Sequence, residues 1–215
     1  MNSLKARFLM LGLSVVALGV VLGTALWTRL GPHPRLKNQS QRPLEQMFGY
    51  GAVPDFSLME RSGSEIGLAQ LRGVIWVADF IYTSCQDTCP LQTAEMAKLQ
   101  EHLRDAPGVT LVSFSVDPQK DTPAALSQYA ERFGADAKRW LFVTGPKDRI
   151  TRLVQEGFRL SAVPAAPSGT QADVILHSTR FVLVDQQTQI RGYYDSRDAD
   201  AMQRLRKDIT GLLHG

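Results

Sequence analysis

The sequence predicts an α/β domain, a central β-sheet flanked by helices, preceded by one N-terminal transmembrane helix. Three observations carry that prediction. Residues 8–27, FLMLGLSVVALGVVLGTALW, contain no charged side chain. From about residue 47 onward, short runs rich in Val, Ile and Phe alternate with stretches of helical period. Gly and Pro punctuate the joints between them.

Residues 1–7 form a short tail carrying Lys5 and Arg7. The apolar stretch 8–27, at about 1.5 Å per residue, is long enough for the roughly 30 Å of bilayer hydrocarbon. It exceeds the roughly 7 to 15 apolar residues of a cleaved signal peptide, so an uncleaved anchor is expected. Arg29, Arg35, Lys37 and Arg42 beyond it compete with Lys5 and Arg7, and the positive-inside rule leaves the orientation open. Residues 28–46 are polar, hold three prolines and His33, and read as a solvated tether. The folded domain is expected over residues 47–215.

Within that domain, DFSLME and the run Ile66–Leu71 flank RSGS, a hairpin turning at Gly63. VIWVADFIY, residues 74–82, reads as a buried strand. Pro90 suits the first turn of a helix, with Cys89 expected at the N-cap and Leu91, Ala94, Leu99 and Leu103 recurring at helical spacing. VTLVSFSV is a strand, followed by a helix in DTPAALSQYAERFG capped by Thr122 and ended by Gly134. WLFVTG is a strand and KDRITRLVQEGF a helix. Ser161–Asp173, rich in Ala, Pro, Ser and Gly, reads as a surface loop. VILHSTRFVLVD and QIRGYYD pair as a hairpin through QQTQ, and a last amphipathic helix covers about Asp200 to Leu213.

A chain of 215 residues buries a core without covalent staples. Its formal net charge is +3 and its basic residues are dispersed, so a nucleic-acid surface is not expected. The only two cysteines, Cys85 and Cys89, stand at a strand-to-helix joint with three residues between them. A thiolate is both the nucleophile and the metal ligand, and a helix N-terminus stabilises it. A static disulfide closing so short a loop would constrain the unfolded chain little, which favours a redox couple or a metal site. As metal donors the pair is soft and suits Cu(I) or zinc, while a four-thiolate cluster from one chain is excluded. A third donor would come from His102, His177, His214 or Met96. Met96 reads as packing, His102 as exposed and His214 as terminal, while His177 opens a strand, where it is either a ligand, since sites gather at strand ends in α/β sheets, or a core or capping residue.

Over about Val53 to Leu213 the sequence resembles the Sco/SenC family of thioredoxin-like copper-binding proteins associated with cytochrome c oxidase assembly. The matching stretches are VPDFSL, WVADFIYTSCQDTCP, SFSVDPQKDTPAALSQYAERFG, WLFVTG and HSTRFVLVD. The resemblance implies a thioredoxin-like fold and a copper ion, Cu(I) or Cu(II), held by Cys85, Cys89 and His177. It departs from the family pattern at Gln86 and Leu176, neither of which removes a ligand.

The resemblance further implies that the soluble domain of this single-pass protein faces the periplasm or an equivalent oxidising compartment; no Arg- and Ser-rich transit segment precedes the span, so a bacterial inner membrane is expected rather than an organelle. It would be a chaperone rather than an enzyme, delivering copper to the dinuclear centre of cytochrome c oxidase subunit II or to another acceptor. An upstream copper donor or thiol reductant would serve it. The alternatives are a thiol-disulfide oxidoreductase acting through Cys85 and Cys89, and a copper or redox sensor. Asp79, six residues before Cys85, stands where thioredoxins carry a buried acid, or else points to solvent at a strand end. A peroxidase is disfavoured, because Ala78 and Tyr82 occupy positions where that chemistry needs Pro and Thr or Ser.

Overall fold

In a computed structural model of the protein, residues 50–160 and 178–215 are described. The expected span over residues 8–27, the tether, the domain start at Met47, the Ser161–Asp173 loop and His177 lie outside them. Among the described residues no helix is long and apolar enough to cross a membrane.

The elements run β1 (Ser57–Glu60), β2 (Glu65–Gly67), α1 (Leu68–Leu71), β3 (Ile75–Ile81), α2 (Thr88–His102), β4 (Val109–Ser115), α3 (Pro123–Arg132), β5 (Trp140–Thr144), α4 (Lys147–Arg152), β6 (Arg180–Val184), β7 (Ile190–Asp195) and α5 (Ala199–His214). They build a seven-stranded mixed sheet in the order β2-β1-β5-β4-β3-β6-β7. The three central strands are parallel, with Val77 opposite Leu111 and Leu111 opposite Trp140. β1 and β6 flank them antiparallel, and the β1–β2 and β6–β7 hairpins close the two sides. The α/β architecture expected from the sequence is therefore the one observed.

β3 explains why this sheet has a core on each side. All seven of its residues are buried, as a parallel central strand covered on both faces requires. Ile75, Val77 and Ile81 face a core completed by α2, α3 and α5. Trp76, Ala78 and Phe80 alternate to the opposite face, where α1, α4 and Phe114 and Phe158 complete a second core. Parallel strands end at one edge of the sheet, so the loops after β3, β4 and β5 gather there.

Three local expectations are corrected. Leu68–Leu71 is a helical turn rather than strand, because the Gln70 side chain turns back to accept the Gly67 N–H at 2.9 Å. α2 begins at Thr88, so Cys89 and Pro90 fall inside its first turn and Asp87 is the N-cap. Its inward face is Cys89, Gln92, Thr93, Met96 and Leu99, and Leu91 is 64% exposed, rotating the expected stripe away from Leu91. The helix over KDRITRLVQEGF ends its α-helical part at Arg152 and continues as one π-helical turn, Leu153–Gly157. That turn brings Gly157 under Pro54, where an added Cβ would lie 2.9 Å from the proline ring.

Candidate metal centre

The cysteine loop is what remains between the buried end of β3 and the start of α2. At its entrance the Cys85 N–H donates to the Tyr82 carbonyl at 3.2 Å, making a tight turn. Four residues on, the Cys89 N–H donates to Cys85 Sγ at 3.4 Å. The N-cap Asp87 makes no side-chain cap. The sulfur therefore does part of the work of a capping oxygen on the unpaired N–H groups of the first turn. Both thiols are free and buried, Cys85 at 9% exposure and Cys89 at 4%.

The two sulfurs differ in acidity. Burial pushes the Cys85 thiol up, but hydrogen bonds from the Cys89 N–H, the Tyr82 side chain and the Asp87 N–H outweigh it, and the net shift is downward. Burial pushes the Cys89 thiol up, a backbone hydrogen bond at Tyr82 opposes this, and Cys85 and the charge of Asp79 drive it further up. The helix N-terminus thus stabilises the anion at Cys85, outside the helix, rather than at the helical Cys89. Tyr82, half-buried against both cores, is held above its ordinary range by burial and by its hydrogen bond to Cys85. It packs and it touches the thiol.

The loop is pinned from the next strand. Asp121, fully buried in the loop after β4, accepts from the Thr83 N–H at 3.2 and 3.1 Å, from the Thr83 hydroxyl at 2.5 Å and from the Ser115 hydroxyl at 2.6 Å. On the helix side, the Thr93 hydroxyl donates to the Cys89 carbonyl at 2.8 Å and lies 2.8 Å from the Tyr129 hydroxyl. Asp121 and Thr83 had no sequence signal of their own, since an Asp before a helix cap reads as solvated loop.

Asp79 is buried, not solvent-facing, at 0% exposure. It lies opposite Ser113 in the parallel ladder, on the strand face that alternates with Ile81 and Val77 toward α2. Burial lifts its carboxyl to about 7, with a smaller downward pull from Ser113. Among the described residues neither oxygen has a hydrogen-bond partner of good geometry, and the Ser113 hydroxyl opposite accepts from the Trp140 Nε1–H at 2.9 Å.

Of the other candidate donors, Met96 is fully buried core, and His102 and His214 are exposed. His177 is outside the described residues, but its neighbour Ser178 lines the cavity that Cys89 also lines. Among the described residues no group of three His, Cys, Asp or Glu side chains is placed to hold a metal ion. The two sulfurs fit a soft cation taken at low coordination, with room for one further donor beside Cys89.

A family model described as SCO1/SenC matches residues 45–214. The SCO1 protein homolog of Bacillus subtilis (strain 168) is 32% identical over 159 residues, covering 73% of this chain and 80% of that protein. The structure of BsSco, described as a member of the Sco family of cytochrome c oxidase assembly proteins with a disulfide switch, matches at 29% identity and a TM-score of 0.66. The match covers 77% of this chain and 95% of that one. Bradyrhizobium japonicum ScoI, solved with copper bound, has the same fold at 22% identity and a TM-score of 0.60, covering 73% of this chain and 99% of that one. The mixed sheet with its flanking helices is thus the thioredoxin-like Sco fold.

Proposed function

The chain belongs to the SCO1/SenC family, and from that premise we propose that it carries copper and hands it to an acceptor during cytochrome c oxidase assembly. Cys85, Cys89 and His177 would be the ligands, and oxidase subunit II, with its dinuclear copper centre, the acceptor. Residues 8–27 would anchor it in a bacterial inner membrane with the folded domain in the periplasm. The family's oxidase-assembly members and copper-bound relatives support this reading.

The observation that carries it is the pairing of unlike thiols in one loop. Cys85, whose anion the hydrogen bond from the helix end favours, is the readier of the two to engage a soft cation. Cys89, held protonated by burial, releases a proton only as it bonds metal, so its bond is readily reversed by reprotonation. One firm and one labile sulfur, with a histidine as the third ligand, suit a carrier that must both hold and release. The test is to reduce the full chain, add Cu(I) and measure stoichiometry. One copper per chain is expected, lost on Cys85→Ser or Cys89→Ser; undiminished binding in both variants sinks the reading.

A second reading, a thiol-disulfide oxidoreductase, is favoured by Asp79. A buried acid with a carboxyl near 7 can exchange a proton around neutral pH, and its charge acts on Cys89. The disulfide switch described for BsSco supports it.

A further inference from the structure

A cavity of about 310 Å³ opens beside Cys89, at the small end of the roughly 300 to 1,000 Å³ of ligand pockets. Among the described residues Phe80, Tyr82 and Cys89 form one part of its lining; the others are Thr88, Gln92, Ser178, Thr179 and Arg197. None of these side chains is a carboxylate, and most can donate hydrogen bonds. Several are already engaged. Arg197 is bidentate on Asp195 at 3.1 and 2.9 Å, Thr179 also bonds Asp195, and Ser178 Oγ accepts the Arg180 N–H. Gln92 is different: it is 2% exposed, and among the described residues its amide nitrogen has no hydrogen-bond partner. A buried donor left without an acceptor is costly and rare in native structures.

We propose that this cavity seats an incoming cysteine residue of a partner protein, whose carbonyl oxygen accepts from the Gln92 amide while its sulfur meets Cys89. The proposal rests on the copper-carrying reading above. Cys89 and Gln92 are three residues apart on α2 and so share one face, about 5–6 Å apart at Cβ. The sulfur and carbonyl oxygen of one cysteine are separated by three carbons, a span that lets one residue address both. Phe80 and Tyr82 supply the apolar wall for its side chain. In the exchange, the incoming thiol loses its proton as its sulfur bonds copper, and the Cys89 sulfur leaves copper and takes up a proton. Copper keeps its oxidation state throughout.

The test follows the Gln92 side-chain amide resonance in the full, reduced, metal-free chain. The probes are N-acetylcysteine methylamide, N-acetylalanine methylamide and N-acetylcysteine. The cysteine methylamide is expected to give a saturable shift at Gln92 and Thr88, with the alanine probe several-fold weaker. Gln92→Glu, which keeps size and removes the donor, is expected to abolish the shift at Thr88, the reporter that this variant retains, while leaving the circular dichroism unchanged. No saturable shift, equal binding of the alanine probe, or binding of the free acid alone overturns the proposal. In the copper-loaded chain, Gln92→Glu should lower the rate of copper removal by the cysteine methylamide relative to propanethiol about fivefold. A chain that takes up no copper defeats the copper-carrying reading, while the titration still decides what the cavity binds.

Discussion

Asp121 holds Thr83 by both its backbone N–H and its hydroxyl, and so fixes the chain two residues before Cys85 from the loop after β4. The same carboxylate takes the Ser115 hydroxyl, so one buried group ties the ends of β3 and β4 together. Cys85 has its position because the loop preceding it is held at that point.

Asp121→Asn places an amide N–H₂ against donors that need an acceptor. Breaking a buried, charge-assisted network of this kind costs on the order of 3 kcal/mol. Urea unfolding is expected to show that loss, with copper affinity falling in the same variant. An affinity equal to wild type would mean the loop keeps its shape without the carboxylate.

Asp79 makes stability depend on pH. Its folded-state carboxyl is raised from 3.8 to about 7, so between those values the native state binds more protons than the unfolded chain. The contribution is fully present below about 4 and lost as pH rises through about 7. At about 1.4 kcal/mol per pKa unit the total is a few kcal/mol. Asp79→Asn is expected to flatten the fall in Tm between pH 5 and pH 8; identical slopes in the two proteins would contradict the buried-acid assignment.

Cys85 should be the more readily alkylated thiol. Its acidity is raised by the Cys89 N–H and Tyr82, whereas Cys89 is shifted the other way. Iodoacetamide followed by peptide mass mapping should label Cys85 first, at a pH below that needed for a free cysteine. Tyr82→Phe removes one of those hydrogen bonds and should move the Cys85 labelling profile to higher pH.

His177→Ala separates the two functional readings. Both need Cys85 and Cys89, but only copper binding needs the imidazole. Copper affinity is expected to fall by at least about tenfold, the lower range for disturbing a metal site's surroundings. The rate of reduction of a Cys85–Cys89 disulfide by dithiothreitol should stay within about twofold. A variant with wild-type copper affinity would remove His177 from the ligand set.

The sheet was legible because its strands are dense in Val, Ile and Phe, and α2 and α3 because they begin at Thr88 and Pro123. Thr122 caps α3 as its sequence suggests, with its hydroxyl accepting the Ala125 N–H at 3.2 Å. The phase of α2 was not legible. Leu91 looks like a core residue by type, yet Thr93 and Gln92 face inward because Tyr129 offers the threonine a hydroxyl and the cavity beside Cys89 takes the glutamine. The cysteines announced themselves by scarcity and spacing. Their unequal acidity did not, because it depends on which sulfur faces the helix end, and that was set by a two-residue shift in where α2 starts. Asp79 was ambiguous because an acid in an apolar strand has the same one-letter context whether it points into a core or out of it.

A helix capped by sulfur carries a built-in gauge of that sulfur's chemistry. The Cys89 N–H leans on Cys85 Sγ only while the lone pairs of that atom are directed at it. Bonding Cys85 to a metal or to another sulfur changes the charge on that atom, and with it the strength of the hydrogen bond that opens α2. The local amide-exchange rate at Cys89 would then register the occupancy of the site, and a docking protein that contacts Leu91, exposed on the same turn, would meet a different surface on a loaded chain than on an empty one.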